Sequence, residues 1–163
     1  MSVFLGTHQN RIDAKGRVSI PAGFRTVLRA KAVEGESLMV LRPSHTQPCI
    51  EAWPSSVFSS LAQPLDRLDM FSDEHDDLAA ALYADAYPVD SDREGRIIIP
   101  DFLREHAGIS DAVAFMGLGK IFQIWEPGAA EQRRSEARLR SRRVTLPGNR
   151  PGADGGERSG GDA

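Results

Sequence analysis

A length of 163 residues allows one ordinary domain or two very small ones, and 40 % hydrophobic with 26 % charged residues is the composition of a globular chain with its own core. The lack of any uninterrupted apolar run of about 18 residues excludes a membrane-spanning helix, and a single cysteine, Cys49, excludes an internal disulfide framework. The net charge of −3 argues, as a total, against a polyanion partner. Its distribution argues otherwise. Residues 1–33 hold Arg11, Lys15, Arg17, Arg25, Arg29 and Lys31 against Asp13 alone, a net +5. Residues 66–111 are at −9, and residues 127–143 return to +4 through six arginines against Glu131 and Glu136. Such polarisation points to a basic surface for a polyanion and a solvated acidic remainder. Met1 to Thr7 lacks the basic start and long apolar run of a signal peptide, so a reducing cytoplasm is the expected compartment.

In chain order, Thr7 to Ile12 reads as an extended run. It enters the turn Asp13-Ala14-Lys15-Gly16, with Asp and Gly at the favoured first and fourth positions of a type I turn. Arg17 leads into a strand, Val18 to Ile20, with Val18 and Ile20 on one face and Ser19 on the other. Pro21 suits the first turn of a helix, where its missing N–H costs little. Phe24, Val27 and Leu28 give that helix a core-facing stripe, while Arg25 and Arg29 share another face. Leu38 to Leu41 and Ile50 to Trp53 make a hairpin across a long loop. Residues 55–84 read as a helical linker. Its first helix starts at Ser55 as N-cap, turns Phe58, Leu61, Leu65 and Leu68 inward, and is kinked or broken at Pro64. Its second starts near Ser72, with an acidic first turn that suits a helix N-terminus, and buries Leu78 and Leu82.

The pattern then recurs. Tyr87 to Asp90 is extended, Asp92-Arg93-Glu94-Gly95 is a turn, and Ile97 to Ile99 is a strand whose three isoleucines predict burial on both faces. Pro100 starts a helix that Gly108 ends, and Ala112 to Met116 with Phe122 to Trp125 form a hairpin. A helix is predicted over 128–143. Residues 144–163 have little to bury and predict a disordered tail. At a shift of 79 positions Asp13, Gly16, Arg17, Ile20 and Pro21 fall on Asp92, Gly95, Arg96, Ile99 and Pro100, and each copy closes with a Trp, Trp53 or Trp125. The organisation is therefore a first repeat over 1–54, a linker over 55–84, a second repeat over 85–127, a helix over 128–143 and the tail.

On these residues the chain resembles the MraZ family of bacterial transcriptional regulators, within the AbrB-like superfamily. That family's pattern is two copies of Asp-x-x-Gly-Arg, each followed by an apolar strand and a proline. The similarity covers roughly residues 3 to 143. It implies a mixed, β-rich fold in which two pseudo-symmetric half-barrels form one swapped-hairpin β-barrel with short peripheral helices. It also implies a ring-like homo-oligomer. The implied function is sequence-specific binding of repeated double-stranded DNA boxes upstream of the division and cell-wall gene cluster, including the regulator's own gene. Such a protein is cytoplasmic and nucleoid-associated, with no cofactor, metal, membrane or small-molecule substrate. The resemblance places the main DNA contact at Arg17, with Lys15 beside it.

The residues themselves support part of this. A tight turn can present Arg17 for bidentate contact with guanine O6 and N7, or for a phosphate, and Lys15 suits phosphate. Arg11 and Arg25 are candidates to extend the footprint. Glu94 stands where the first copy has Lys15, and a carboxylate repels phosphate. Arg96 therefore stays open between a DNA contact and a structural partner of Asp92. Asp13, Gly16, Asp92 and Gly95 are assigned to the turns. The rival function is an oligomeric interaction or structural ring with secondary DNA binding, favoured by the overall acidity and by Glu94. No enzyme is expected. His8, His45, His75 and His106 are scattered without metal-ligand spacing, and Gly117-Leu118-Gly119-Lys120 lacks the spacing of a phosphate loop. Trp53 and Trp125 are expected to anchor the core or a subunit contact.

Overall fold

Eight strands, four from each repeat, carry the fold of the computed structural model, which describes residues 2–146. The first repeat supplies β1 (Thr7–Arg11), β2 (Arg17–Ser19), β3 (Met39–Pro43) and β4 (Ile50–Pro54). The second supplies β5 (Tyr87–Val89), β6 (Arg96–Ile98), β7 (Ala112–Gly117) and β8 (Phe122–Trp125). Six of them form one open antiparallel sheet in the order β1-β7-β8-β4-β3-β5, and β2 and β6 form a separate two-stranded ribbon. Each repeat keeps its own hairpin, β3–β4 or β7–β8. Every other pairing joins the two repeats. β1 pairs with β7, β5 with β3, β2 with β6, and β4 with β8. A three-residue strand has too few ladder bonds to stand alone, so each repeat depends on the other for its short strands.

The helices are α1 (Ala22–Ala30), α2 (Ser55–Phe58), α3 (Ala62–Asp66), α4 (Asp73–Ala79), α5 (Asp101–Ala107) and α6 (Pro127–Ser141). Phe24, Val27 and Leu28 of α1 are buried, as are the equivalent Leu103 and Ala107 of α5. Phe24 packs edge-on against Phe4 at 5.2 Å between ring centroids and lies 5.0 Å from Phe122, with Phe115 at 6.4 Å. Burying each of these rings contributes about 1.5–3 kcal/mol. β3 is buried on both faces. Met39 and Leu41 join the main core, whereas Arg42 donates through Nη2 to the carbonyl of Ala81 at 2.9 Å and pairs through Nη1 with Glu51. The linker thus covers the side of the sheet away from the core, with Phe58 between Trp53 and Tyr83.

The described residues up to Ala130 form one compact unit, and those over 131–146 belong to a second. Trp125 is buried in the first unit with Ala114, Met116 and Ala130, whereas Trp53 is half-buried and donates through Nε1 to Glu51 at 3.1 Å. The part of α6 that belongs to the second unit carries Arg133, Arg134, Arg138 and Arg140. From residue 147 on, the expected tail lies outside the described residues.

Several expectations change. Ile97 and Ile99 are buried but Ile98 is 58 % exposed, because among the described residues β6 has only β2 for a neighbour and no second layer covers its outer face. Pro21 and Pro100 sit at the N-cap rather than in the first turn, with extended ψ of 141° and 153°. Pro54 takes the same place before α2, so Ser55 is not the cap, and its hydroxyl instead donates to the carbonyl of Ser37 at 2.6 Å. The chain tightens to a 3₁₀ turn over Ser59–Leu61 before Pro64, which cannot donate to the carbonyl four residues back. Leu82 is buried and Leu78 half-buried. Ser72 does cap α4, accepting from the N–H of His75 at 3.1 Å.

Candidate nucleic-acid interface

The two Asp-x-x-Gly-Arg segments fold into the same turn. The N–H of Gly16 donates to the carbonyl of Asp13 at 3.0 Å, and that of Gly95 to Asp92 at 3.1 Å. Both glycines have positive φ, +86° and +79°, which a residue with a Cβ adopts only under strain. Asp13 Oδ1 accepts from the N–H of Lys15 at 3.0 Å and of Arg17 at 2.9 Å, and Oδ2 accepts from Arg17 Nε at 2.7 Å. Asp92 repeats this with Glu94, Arg96 and Arg96 Nε, all at 2.9 Å. The N–H of Arg17, and then its side chain, hold the Asp13 carboxyl below its ordinary pKa. The N–H of Arg96 does the same first for Asp92. Each carboxylate therefore stays ionised and fixes the base of its arginine.

Pairing of β2 with β6 brings the two motifs together. Arg17 lies opposite Ile98, Val18 opposite Ile97, and Ser19 opposite Arg96. Because alternate residues face opposite sides, Val18 and Ile97 point into the core, where both are buried. Arg17, Ser19, Arg96 and Ile98 share the outer face. The ladder is extended by bonds from Ile20 N to Gly95 O at 2.9 Å and from Ile99 N to Gly16 O at 2.8 Å. Arg17, Arg96 and Ile98 line a groove of about 250 Å³ together with Tyr87 and Val89.

The two arginines differ in what holds them. Arg17 is engaged through Nε alone among the described residues, which leaves both Nη groups uncommitted. Arg96 is bonded through Nε to Asp92 and through Nη2 to Glu94 at 3.1 Å. Asp92, Glu94 and, across the ribbon, Asp13 raise its pKa, the hydrogen bond to Asp92 first. Lys15 and Arg17 outnumber Asp13 at the first turn. At the second, Arg93 and Arg96 are balanced by Asp92 and Glu94.

Arg25 leaves α1 to pack on the second turn, where Nη1 donates to the carbonyl of Glu94 at 3.2 Å. Arg104, its counterpart on α5, packs on Gly16 and pairs with Asp101. Each helix arginine thus seats the opposite repeat's turn. Arg25 falls on Arg104 under the same shift of 79 positions, which is a sequence signal for a shared role, but the cross-over between repeats is not contained in it. Arg11 is exposed at the end of β1, opposite Ala112. Ile98, absent from the sequence-based candidates, joins the outer face because no described residue covers the ribbon on that side.

Residues 3–80 and 82–146 match the family model described as "MraZ protein, putative antitoxin-like". The chain belongs to the MraZ family. It is 72 % identical over 163 residues, 100 % of both chains, to a protein of Gluconacetobacter diazotrophicus named Transcriptional regulator MraZ. It is 60 % identical over 156 residues to the protein of that name from Gluconobacter oxydans, covering 94 % of this chain and 95 % of that one. The like-named protein of Azorhizobium caulinodans is 40 % identical over 144 residues, 88 % and 90 % of the two chains. The two segments matched by the MraZ model divide between the repeats, one Asp-x-x-Gly-Arg turn in each.

Proposed function

We propose that this MraZ-family chain is a transcriptional regulator that binds double-stranded DNA through the outer face of the β2–β6 ribbon. The observation that carries the reading is Arg17, fixed at Nε by Asp13 with its two Nη groups uncommitted on an exposed ribbon. A two-stranded ribbon fits the major groove, and a pre-positioned guanidinium there engages guanine O6 and N7 bidentately. Lys15 adds a phosphate contact at the same turn and Arg11 extends the positive footprint, while Arg25, whose guanidinium is bonded to the Glu94 carbonyl, adds its charge at the second turn. Arg96 contributes less, since Glu94 occupies one of its Nη groups and repels phosphate.

The targets are repeated boxes upstream of the division and cell-wall gene cluster, including the regulator's own gene. Homo-oligomerisation, as a ring of subunits whose sheet and ribbon close into swapped-hairpin barrels, lets several weak contacts act together through effective concentration. The working compartment is the cytoplasm, at the nucleoid. The test is a titration on tandem-box and scrambled promoter DNA at several salt concentrations. Binding to the tandem boxes falls steeply with salt, each neutralised phosphate adding about 0.9 to the logarithmic slope. An Arg17→Ala protein that stays folded and oligomeric yet binds like the parent overturns the site. The rival, a ring that serves protein contacts, draws on the Glu94–Arg96 pair and predicts equal affinity for scrambled DNA.

A further inference from the structure

The outer face of the ribbon is built from two repeats, but it is not symmetric. Under the shift that superposes the motifs, Ile98 corresponds to Ser19 and Glu94 to Lys15. In the antiparallel pairing these differences fall at opposite ends. One end presents Lys15, Arg17 and Ile98, and the other presents Glu94, Arg96 and Ser19. The first end joins a guanidinium whose two Nη groups are uncommitted among the described residues to an isoleucine that is 58 % exposed, and Tyr87, 43 % exposed, lines the same groove. A β-branched apolar side chain held in the open, directly across from the arginine, has no role in the core. The core on that strand is filled by Ile97 and Ile99.

We infer that Ile98 is a second base-reading residue, which packs against the C5-methyl group of a thymine next to the base pair that Arg17 contacts. This rests on the DNA-binding reading above and names a specificity device within it. Residues directly opposite on an antiparallel pair hold their Cβ atoms about 4.5–5.5 Å apart, and successive base pairs are stacked about 3.4 Å apart. With Arg17 on a guanine, the side chain across the strand therefore reaches the neighbouring step. Thymine alone among the four bases presents a methyl group in the major groove, and apolar side chains read it by contact. The partner is DNA rather than another protein surface, because Arg17 stands directly opposite the isoleucine with Lys15 in the turn before it, while the carboxylates of the adjoining groove are engaged, Asp92 by Arg96 and Asp90 by the N–H of Leu38. The same asymmetry gives the ribbon a direction on the duplex. The Lys15–Arg17–Ile98 end engages the bases, while Glu94 is turned toward the end that avoids phosphate.

The experiment replaces each thymine of one promoter box in turn by deoxyuridine, which removes only the methyl group. Affinity is measured for the parent, Ile98→Ser and Ile98→Val proteins, with thermal melting and sedimentation as controls for fold and assembly. At one thymine the parent binds the uracil box about fourfold more weakly, the equivalent of one buried methyl group. Ile98→Ser binds the two boxes equally, and Ile98→Val retains most of the discrimination. A parent protein that is indifferent to uracil at every position overturns the inference while leaving DNA binding intact. So does a thymine preference that persists unchanged in Ile98→Ser. An altered assembly in Ile98→Ser with unchanged discrimination reassigns the residue to a subunit contact and also overturns it. A parent that binds no promoter DNA overturns the functional reading itself, and this inference with it.

Discussion

Replacing Gly16 by alanine tests how the two repeats support each other, because the clash it creates lies against the other repeat's backbone. A Cβ built on Gly16 stands 2.5 Å from the carbonyl oxygen of Ile99, well inside the 3.4–4 Å of ordinary contact. That carbonyl belongs to the strand end whose N–H donates to Gly16 O at 2.8 Å, so the clash cannot be relieved without opening the ribbon. The left-handed conformation at φ +86° costs a residue with a Cβ about 1–2 kcal/mol. Displacing packed backbone adds about 1–3 kcal/mol. Gly95 is the internal control. Its φ is +79°, but its Cβ would meet the Arg25 side chain, with Cδ at 2.5 Å. A flexible side chain can move aside, so Gly95→Ala bears mainly the conformational cost of about 1–2 kcal/mol. At about 3 °C per kcal/mol for a chain of this size, Gly16→Ala lowers the melting temperature by about 6–15 °C and Gly95→Ala by about 3–6 °C. Thermal unfolding followed by circular dichroism, at one protein concentration, measures both. A loss for Gly95→Ala equal to or larger than that for Gly16→Ala refutes the reasoning, since it would mean that the backbone approach at Ile99 does not govern the turn.

Three further outcomes are expected. Asp13 has a folded-state pKa below its ordinary value, so its contribution to stability is complete above the unfolded carboxyl pKa of about 3.9 and is lost as the pH falls through the folded value. Melting of Asp13→Asn at pH 6 and pH 3 therefore shows a smaller gap than the parent, and an equal gap refutes the pairing with Arg17. Glu94→Lys restores the first copy's charge to the second turn and frees Arg96 Nη2. Promoter binding then tightens, and the logarithmic salt slope steepens by about one or more, as read by titration at three salt concentrations. Trp125→Ala, in the buried cluster with Ala114, Met116 and Ala130, costs about 3–5 kcal/mol in denaturant unfolding. The half-buried Trp53→Ala costs less, and a reversed order would contradict the packing.

The local geometry of the two turns is legible in the residues themselves. Asp13 and Gly16 name a turn because few residues other than Gly accept positive φ, and an Asp at the first position reaches the N–H groups that follow. Arg17 and the basic segment around it pointed to a polyanion. Arg25 was also legible as a cation, but not as a residue seated on the second turn. Its bond to Glu94 spans 69 positions of chain, and sequence periodicity carries no information at that range.

The sequence by itself determined the local units. Alternation along β2, the stripe Phe24–Val27–Leu28 and the glycines at 16, 95 and 108 each encode a strand, a helix face or a chain reversal within a few residues. Only the tertiary structure decided which strand meets which. The repeats exchange β1, β2, β5 and β6 rather than folding separately. That choice turns three consecutive isoleucines into two core residues and one exposed one. The physical reason is the number of neighbours. A hydrophobic run records how apolar a strand is, whereas burial depends on whether a second layer covers each face, and the outer face of the β2–β6 ribbon has none within the described residues.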